Sequence, residues 1–184
     1  HVELDQLSAA RRQFEQLAVL LPEDVGIRLE LARVLLQLGE PEAAERQAVA
    51  ALELNGENPL AQELYANALA RQNKHQESAR AYASLSVANP DSVGLMVATG
   101  AQEFLAGDQQ GGVARLRQAV TADPESAAAQ RALVEALLST GETDEAVEVA
   151  DAYFQANLDS DPAAVLFGRT LIQQRQLDRA EQLF

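Results

Sequence analysis

Cysteine and tryptophan are absent from the chain, and lysine and methionine occur once each, as Lys74 and Met96. Without thiols there can be no disulfides, thiolate metal sites or thiol catalysis. The two histidines, His1 at the terminus and His75 in a turn, form no metal-ligand spacing of the His-Glu-x-x-His kind. Five Phe and three Tyr are too few to fill a thick central core. No apolar run approaches the roughly 18 to 20 residues that span a bilayer, so this segment is not expected to insert into a membrane. The start of the chain has no basic, apolar, cleavable pattern, and any targeting signal is expected outside the segment. A formal net charge of −14 repels phosphate backbones, which excludes nucleic acid as the expected ligand.

What is present is alanine, leucine, glutamine, glutamate and arginine, all strong helix formers. Abundant alanine suits thin helices that stack closely through small side chains. Arginine carries nearly all the positive charge, a bias that fits a bacterial coding sequence.

The prolines reveal a repeat. Pro90 in Ala-Asn-Pro-Asp-Ser and Pro124 in Ala-Asp-Pro-Glu-Ser lie 34 residues apart, and Pro22 lies 68 before Pro90. Applied to the whole chain without insertion, this register gives units at 25–58, 59–92, 93–126 and 127–160, with partial units at 1–24 and 161–184. Position 8 of the unit reads Ala32, Ala66, Gly100, Val134, Gly168, and position 20 reads Ala10, Ala44, Ser78, Gly112, Ala146, Ala180. Position 24 reads Phe14, Ala48, Tyr82, Leu116, Ala150, Phe184. Gly39, Asn73, Gly107 and Gly141 at position 15 can take the left-handed conformation that closes a first helix. Pro22, Pro90 and Pro124 at position 32, with Gly56 and Leu158 in the other two units, end the second helix. Ser92, Ser126 and Ser160 are placed to cap first helices, and Pro41 and Pro162 fit a first turn.

A 34-residue period with two helices per unit and small residues in these columns resembles the tetratricopeptide repeat family. The resemblance covers essentially the whole chain. It implies an all-α, right-handed superhelical solenoid of antiparallel helix pairs, here one array over 1–184 and a piece of a longer one. It further implies a non-catalytic scaffold that holds a peptide or helix of another protein in a concave groove lined by the first helices. Similar arrays in bacterial envelope machines suggest a periplasmic exopolysaccharide export or secretion assembly; the alternative is a docking region of a larger chain that includes an enzyme.

In the family, positions 2, 5, 9 and 12 of the first helix face the groove. Here they supply Leu29, Arg33, Leu36, Leu60, Glu63, Asn67, Ala70, Val97, Ala101, Phe104, Arg131, Glu135, Leu138, Val165, Arg169 and Ile172. Asn67 matches the clamp with which some members grip a C-terminal carboxylate, but both clamp lysines are missing. An apolar track with isolated charges better suits spaced anchors of an amphipathic or extended segment.

The departures from the family pattern are informative. Position 4, often Trp, reads Arg28, Gln62, Met96, Gln130, Ala164, and Glu103 replaces a large apolar residue at position 11. A slight rotation of that helix is expected to bury Phe104 and let the Glu103 carboxylate reach water. Gly107 to Gly112 superficially resembles a phosphate-binding loop, yet it lacks the Lys-Ser/Thr pair and follows a helix. Asn157, Asp159 and Asp161 alternate like a calcium loop, but Pro162 and Gly168 stand where Gly and Glu are needed. No cofactor and no catalytic or metal site is therefore expected. Asp144, Glu145, Glu148 and Asp151 should form a solvated outer face, the alternative being a convex surface that docks a basic partner. Phe167, Leu171, Leu183 and Phe184 would lack a following hairpin, which points to end-to-end self-association or fraying.

Overall fold

The computed structural model describes residues 2–182, and all regular structure within them is helical. The chain divides into two compact units, residues 1–88 and 89–184. The first contains α1 (Val2–Leu20), α2 (Val25–Gln37), α3 (Pro41–Leu54), α4 (Pro59–Arg71) and α5 (His75–Ala88). The second contains α6 (Val93–Leu105), α7 (Gln109–Ala122), α8 (Ala127–Thr140), α9 (Thr143–Ala156), α10 (Asp161–Gln173) and α11 (Leu177–Glu181). His1, Leu183 and Phe184 lie outside the described residues, as do the expectations that rest on them.

Each first helix starts with the same chemistry. The side chains of Asp24, Asn58, Ser92, Ser126 and Ser160 accept from the backbone N–H three residues on, which satisfies one of the donors a helix start leaves free. The sequence reading identified the serines and passed over Asp24 and Asn58. Each first helix also ends alike. The N–H groups of Glu40, Lys74, Asp108, Glu142 and Gln176 donate to the carbonyls of Leu35, Leu69, Glu103, Leu137 and Leu171 at 2.9–3.0 Å. The residue before each donor has positive φ: Gly39 75°, Asn73 60°, Gly107 101°, Gly141 85° and Arg175 58°. This is the left-handed closure that glycine favours, and Arg175 adopts it against its Cβ.

The 1–24 unit departs from the register. A turn at position 15 would fall on Asp5, but α1 runs unbroken from Val2 to Leu20.

Within each hairpin the helices cross at positions 8 and 20. Ala32, Ala44 and Ala66 are fully buried, and the buried Ser78 hydroxyl donates to the Ala66 carbonyl at 2.9 Å. The α6–α7 crossing is tighter. A Cβ on Gly112 would lie 2.6 Å from the Gly100 carbonyl oxygen and 2.7 Å from the Phe104 backbone nitrogen. No side chain fits there without moving the backbone.

The first unit's core joins Leu29, Leu31, Leu35 and Leu36 of α2 to Ala44, Ala48 and Ala51 of α3 and to Ala61, Leu64 and Ala68 of α4. The second unit's core joins Val113 and Leu116, Leu133 and Leu137, Ala146 and Ala150, and Phe167 and Leu171. Phe167 and Leu171 are therefore not left bare, which corrects the expectation of an apolar end at these two residues. Phe167 stacks on Phe154 with ring centroids 5.6 Å apart, and the Arg179 guanidinium lies 5.6 Å from its ring centre.

The position 4 departures also have a structural reason. The Arg28 Nε donates to the Pro22 carbonyl at 2.9 Å, the Gln62 amide to Gly56 at 3.0 Å, and the Gln130 amide to Pro124 at 2.8 Å. These polar side chains tie down the loop carbonyl six residues upstream, at position 32. The Gln130 Oε1 is buried with no hydrogen-bond partner among the described residues.

Candidate protein-binding face

In the second unit α8 and α10 enclose a cleft of about 210 Å³. Its walls are apolar: Val134 and Leu138 from α8, and Pro162, Val165 and Leu166 from α10. Tyr153 of α9 and Thr170, both buried, also line it. Its charged groups are Arg131, Glu135 and Arg169, all exposed. Five of the groove residues expected from sequence thus meet in one place: Arg131, Glu135, Leu138, Val165 and Arg169. Ile172, 53% exposed, is also on α10 but outside the cleft lining.

A second hollow of about 210 Å³ lies between α6 and α8, lined by Ala101, Phe104, Leu105, Leu116, Ala132, Glu135, Ala136 and Ser139. Glu135 is common to both linings. Ala101 and Phe104 were expected here; Val97 is half-buried and packs on the unit's core.

The arginines of this unit divide sharply. Arg115 forms a two-point ion pair with Glu103, Arg117 bridges Glu142 and Glu145, and Arg179 bridges Asp151. Arg131, Arg169 and Arg175 form no ion pair among the described residues, although the unit around them is acidic, and of these three only Arg131 and Arg169 line the cleft.

Glu103 does not simply turn to water. Its carboxylate accepts from Arg115 Nε and a terminal guanidinium nitrogen at 2.8 and 2.9 Å, across the α6–α7 hairpin, and that hydrogen bond holds the Arg115 pKa above its ordinary value. Phe104 is only half-buried. Arg115 went unnoticed in the sequence because its counterparts at position 23, Gln47, Ala81 and Val149, show no charge pattern.

The acidic α9 face is partly neutralised. Arg117 of α7 meets Glu145 at 2.8 Å and Arg179 of α11 meets Asp151 at 3.3 Å, while Asp144 and Glu148 are exposed.

The first unit offers less. Leu29 and Leu36 are each only 7% exposed and belong to its core, which corrects their placement in a groove: Leu29 and Leu36 pack toward α3 and α4. Arg33 pairs with Glu30 at 3.4 Å, Glu63 is exposed and Asn67 is half-buried. Burial, with the Glu63 charge second, pushes the Tyr82 hydroxyl up to about 12, so it stays protonated at neutral pH.

Among the described residues no group of three His, Cys, Asp or Glu is placed to hold a metal ion, and no helix is long and apolar enough to cross a membrane.

A family model described as tetratricopeptide repeat matches residues 1–50 and 29–93, and a second with the same description matches 103–164. No curated protein sequence matches the chain. Among solved structures, the fold is similar to MamA (41-end) from Desulfovibrio magneticus RS-1, with TM-score 0.77 and 16% identity over 84% of this chain and 88% of that one. It is also similar to TTC0263, a thermophilic TPR protein of Thermus thermophilus, with TM-score 0.71 and 20% identity over 93% of both chains. A third likeness is to YrrB, described as a TPR protein with an unusual peptide-binding site, with TM-score 0.63 and 19% identity over 92% of this chain and 88% of that one. Two stacks of capped helical hairpins on a 34-residue register, matched by these models, place the chain in the tetratricopeptide repeat family.

Proposed function

We propose that this chain is a non-catalytic scaffold whose second unit holds a segment of another protein across α6, α8 and α10. The observation that carries this reading is the α8/α10 cleft, whose apolar walls stand beside Arg131 and Arg169, two exposed arginines without ion pairs among the described residues. An apolar pocket with a few convergent polar groups is the usual form of a binding site. The family binds protein or peptide partners, and one similar structure is described as having a peptide-binding site. The assembly we propose is a bacterial envelope machine of the export or secretion type, for which the arginine-biased coding and the family resemblance are the support.

Peptides selected from a random display library on the whole chain test the site. The Arg131→Ala/Arg169→Ala double variant should bind them at least tenfold more weakly with helicity and melting unchanged, because neither residue is buried. Parental affinity in that variant, or no peptide selected at all, would sink the reading. Crosslinked capture from the native host tests the envelope assignment, and recovery of cytoplasmic proteins alone counts against it.

A further inference from the structure

Six asparagines occur in the chain, and one of them, Asn55, is followed by a glycine. Asn55 closes α3 with extended backbone, φ −146° and ψ 92°, in the joint that leads to α4, and both Asn55 and Gly56 are exposed. The Asn55 side-chain oxygen accepts from the Glu57 N–H at 3.3 Å, which folds the carboxamide over the Asn55–Gly56 peptide and draws electron density from its carbon. The Gly56 N–H makes no hydrogen bond among the described residues, whereas the Gly56 carbonyl is held by the Gln62 amide at 3.0 Å. Swinging the Asn55–Gly56 peptide plane changes ψ of Asn55 and φ of Gly56, and glycine absorbs that change with no Cβ in the way. We infer that Asn55 is a spontaneous deamidation site, at which the Gly56 nitrogen displaces ammonia from the carboxamide and leaves aspartate and isoaspartate in the α3–α4 joint.

The other five asparagines are each held back by a visible feature. Asn58 and Asn89 precede prolines, whose nitrogens carry no proton to lose. Asn67 lies inside α4, where the following N–H belongs to the helix ladder. The N–H after Asn73, that of Lys74, donates to the Leu69 carbonyl at 3.0 Å, and the Asn157 amide donates to the Tyr153 carbonyl at 2.9 Å.

The reaction needs water alone as co-reactant. Solvent base takes the Gly56 N–H proton as the nitrogen bonds to Cγ of Asn55, the Cγ–Nδ2 bond breaks, and Nδ2 leaves as ammonia with a proton from solvent. Water then opens the five-membered imide. Opening between nitrogen and Cγ gives aspartate, and opening between nitrogen and the main-chain carbonyl carbon gives isoaspartate, whose chain runs on through Cβ and Cγ. Aspartate adds a negative charge at the C-terminal end of α3, the unfavourable end of the helix dipole, beside the exposed Glu53 and Glu57. Isoaspartate lengthens the main chain between the hairpins and disturbs the turn in which the Asn58 N–H donates to the Asn55 carbonyl at 3.2 Å.

The test holds the whole folded chain in mildly alkaline buffer at physiological temperature and maps it over weeks by mass spectrometry, with electron-transfer fragmentation to tell isoaspartate from aspartate. Asn55 should convert at least tenfold faster than any other asparagine and within about tenfold of its rate in a free peptide of residues 52–58. Gly56→Ala should slow conversion at least tenfold while helicity and melting hold, since a Cβ there meets the Leu52 carbonyl oxygen at 3.6 Å, an ordinary contact. The aged parent should melt below the fresh chain, and aged Gly56→Ala should not. The inference is overturned by an Asn55 that stays intact in the folded chain while the free peptide reacts, by another asparagine that converts first, or by a parental rate in folded Gly56→Ala. The peptide comparison decides the matter alone should Gly56→Ala lose helicity, and unchanged melting after conversion overturns the stated effect on the joint.

Discussion

At the residue scale, the fold turns on where a side chain cannot go. Gly100 and Gly112 face each other across α6 and α7, but unequally: a Cβ on Gly100 meets neighbours at 3.1–3.2 Å, one on Gly112 at 2.6–2.7 Å. Alanine improves helix propensity by about 1 kcal/mol at either site. At Gly100 that gain roughly offsets the crowding, so Gly100→Ala should change stability by less than about 1 kcal/mol. At Gly112 the backbone must shift, and Gly112→Ala should lose about 2 kcal/mol, within the usual range for overpacking. Equal denaturation midpoints for the two variants would contradict this asymmetry. Arg175, held at φ 58°, is the converse case: Arg175→Gly should raise stability by up to about 1 kcal/mol by relieving left-handed strain, a gain readable as a shift in melting temperature. The small columns at positions 8 and 20 were readable in the sequence because they recur from hairpin to hairpin, with Val134 the one larger side chain. Arg175 at the position 15 turn and Arg115 opposite Glu103 were not, because each is particular to one hairpin and repetition carries no signal for it.

At the element scale, helix limits were legible and the contacts between successive units were not. Proline at position 32 and glycine at position 15 mark these limits in most hairpins, and the second helices end two residues before position 32 even where Gly56 or Leu158 stands there. Beyond the shared apolar core, successive hairpins are tied by ion pairs about 28 or 29 residues apart: Arg11–Glu40 and Glu45–Lys74 in the first unit, Arg117–Glu145 and Asp151–Arg179 in the second. Glu145 is therefore a poor site for testing whether the acidic face docks a partner, since reversing it sets a cation beside Arg117; Asp144→Lys with Glu148→Lys is the cleaner variant. Glu45 makes these pairs measurable. Burial would raise its pKa, but hydrogen bonds from Gln72 and Lys74 outweigh burial and lower it below the ordinary 4.5. A lowered folded pKa means stability that is present above the unfolded value and lost as pH falls through the folded one. Glu45→Gln should therefore melt below the parent at pH 7, and the difference should close as pH falls below 4.5 and through the lowered folded value, where the parent carboxylate protonates. A gap that stays constant from pH 7 to pH 3 would remove the electrostatic account.

At the scale of the whole molecule, net charge and local charge oppose one another. The chain carries −14, yet the proposed cleft presents two exposed arginines and one glutamate. An acidic partner is repelled at a distance and held on contact. At about 10 mM salt the Debye length is about 30 Å and the whole field is felt; at 0.15 M it is about 8 Å. Raising salt across that range should therefore speed association of an acidic peptide, the reverse of ordinary steering, while dissociation also quickens. Stopped-flow rates showing association slowed by salt would mean that the arginines dominate the far field. The groove was half legible for a related reason. The register assigned Arg131, Glu135 and Arg169 to first-helix groove positions and they meet in one cleft, but it could not show that Leu29 and Leu36 are drawn into the first unit's core, because a column assigns a direction and neighbouring volume decides exposure.

The closure of every first helix uses backbone atoms alone, a position 16 N–H on a position 11 carbonyl, and every first helix opens on a polar cap at position 34. Neither junction encodes which hairpin it serves. Excising residues 127–160 would join Ser126 to Asp161 and leave a serine capping α10 as before. A gene built this way tolerates unequal recombination at that junction: a crossover there that gains or loses 34 codons returns a capped helix start, so the number of hairpins can drift between generations.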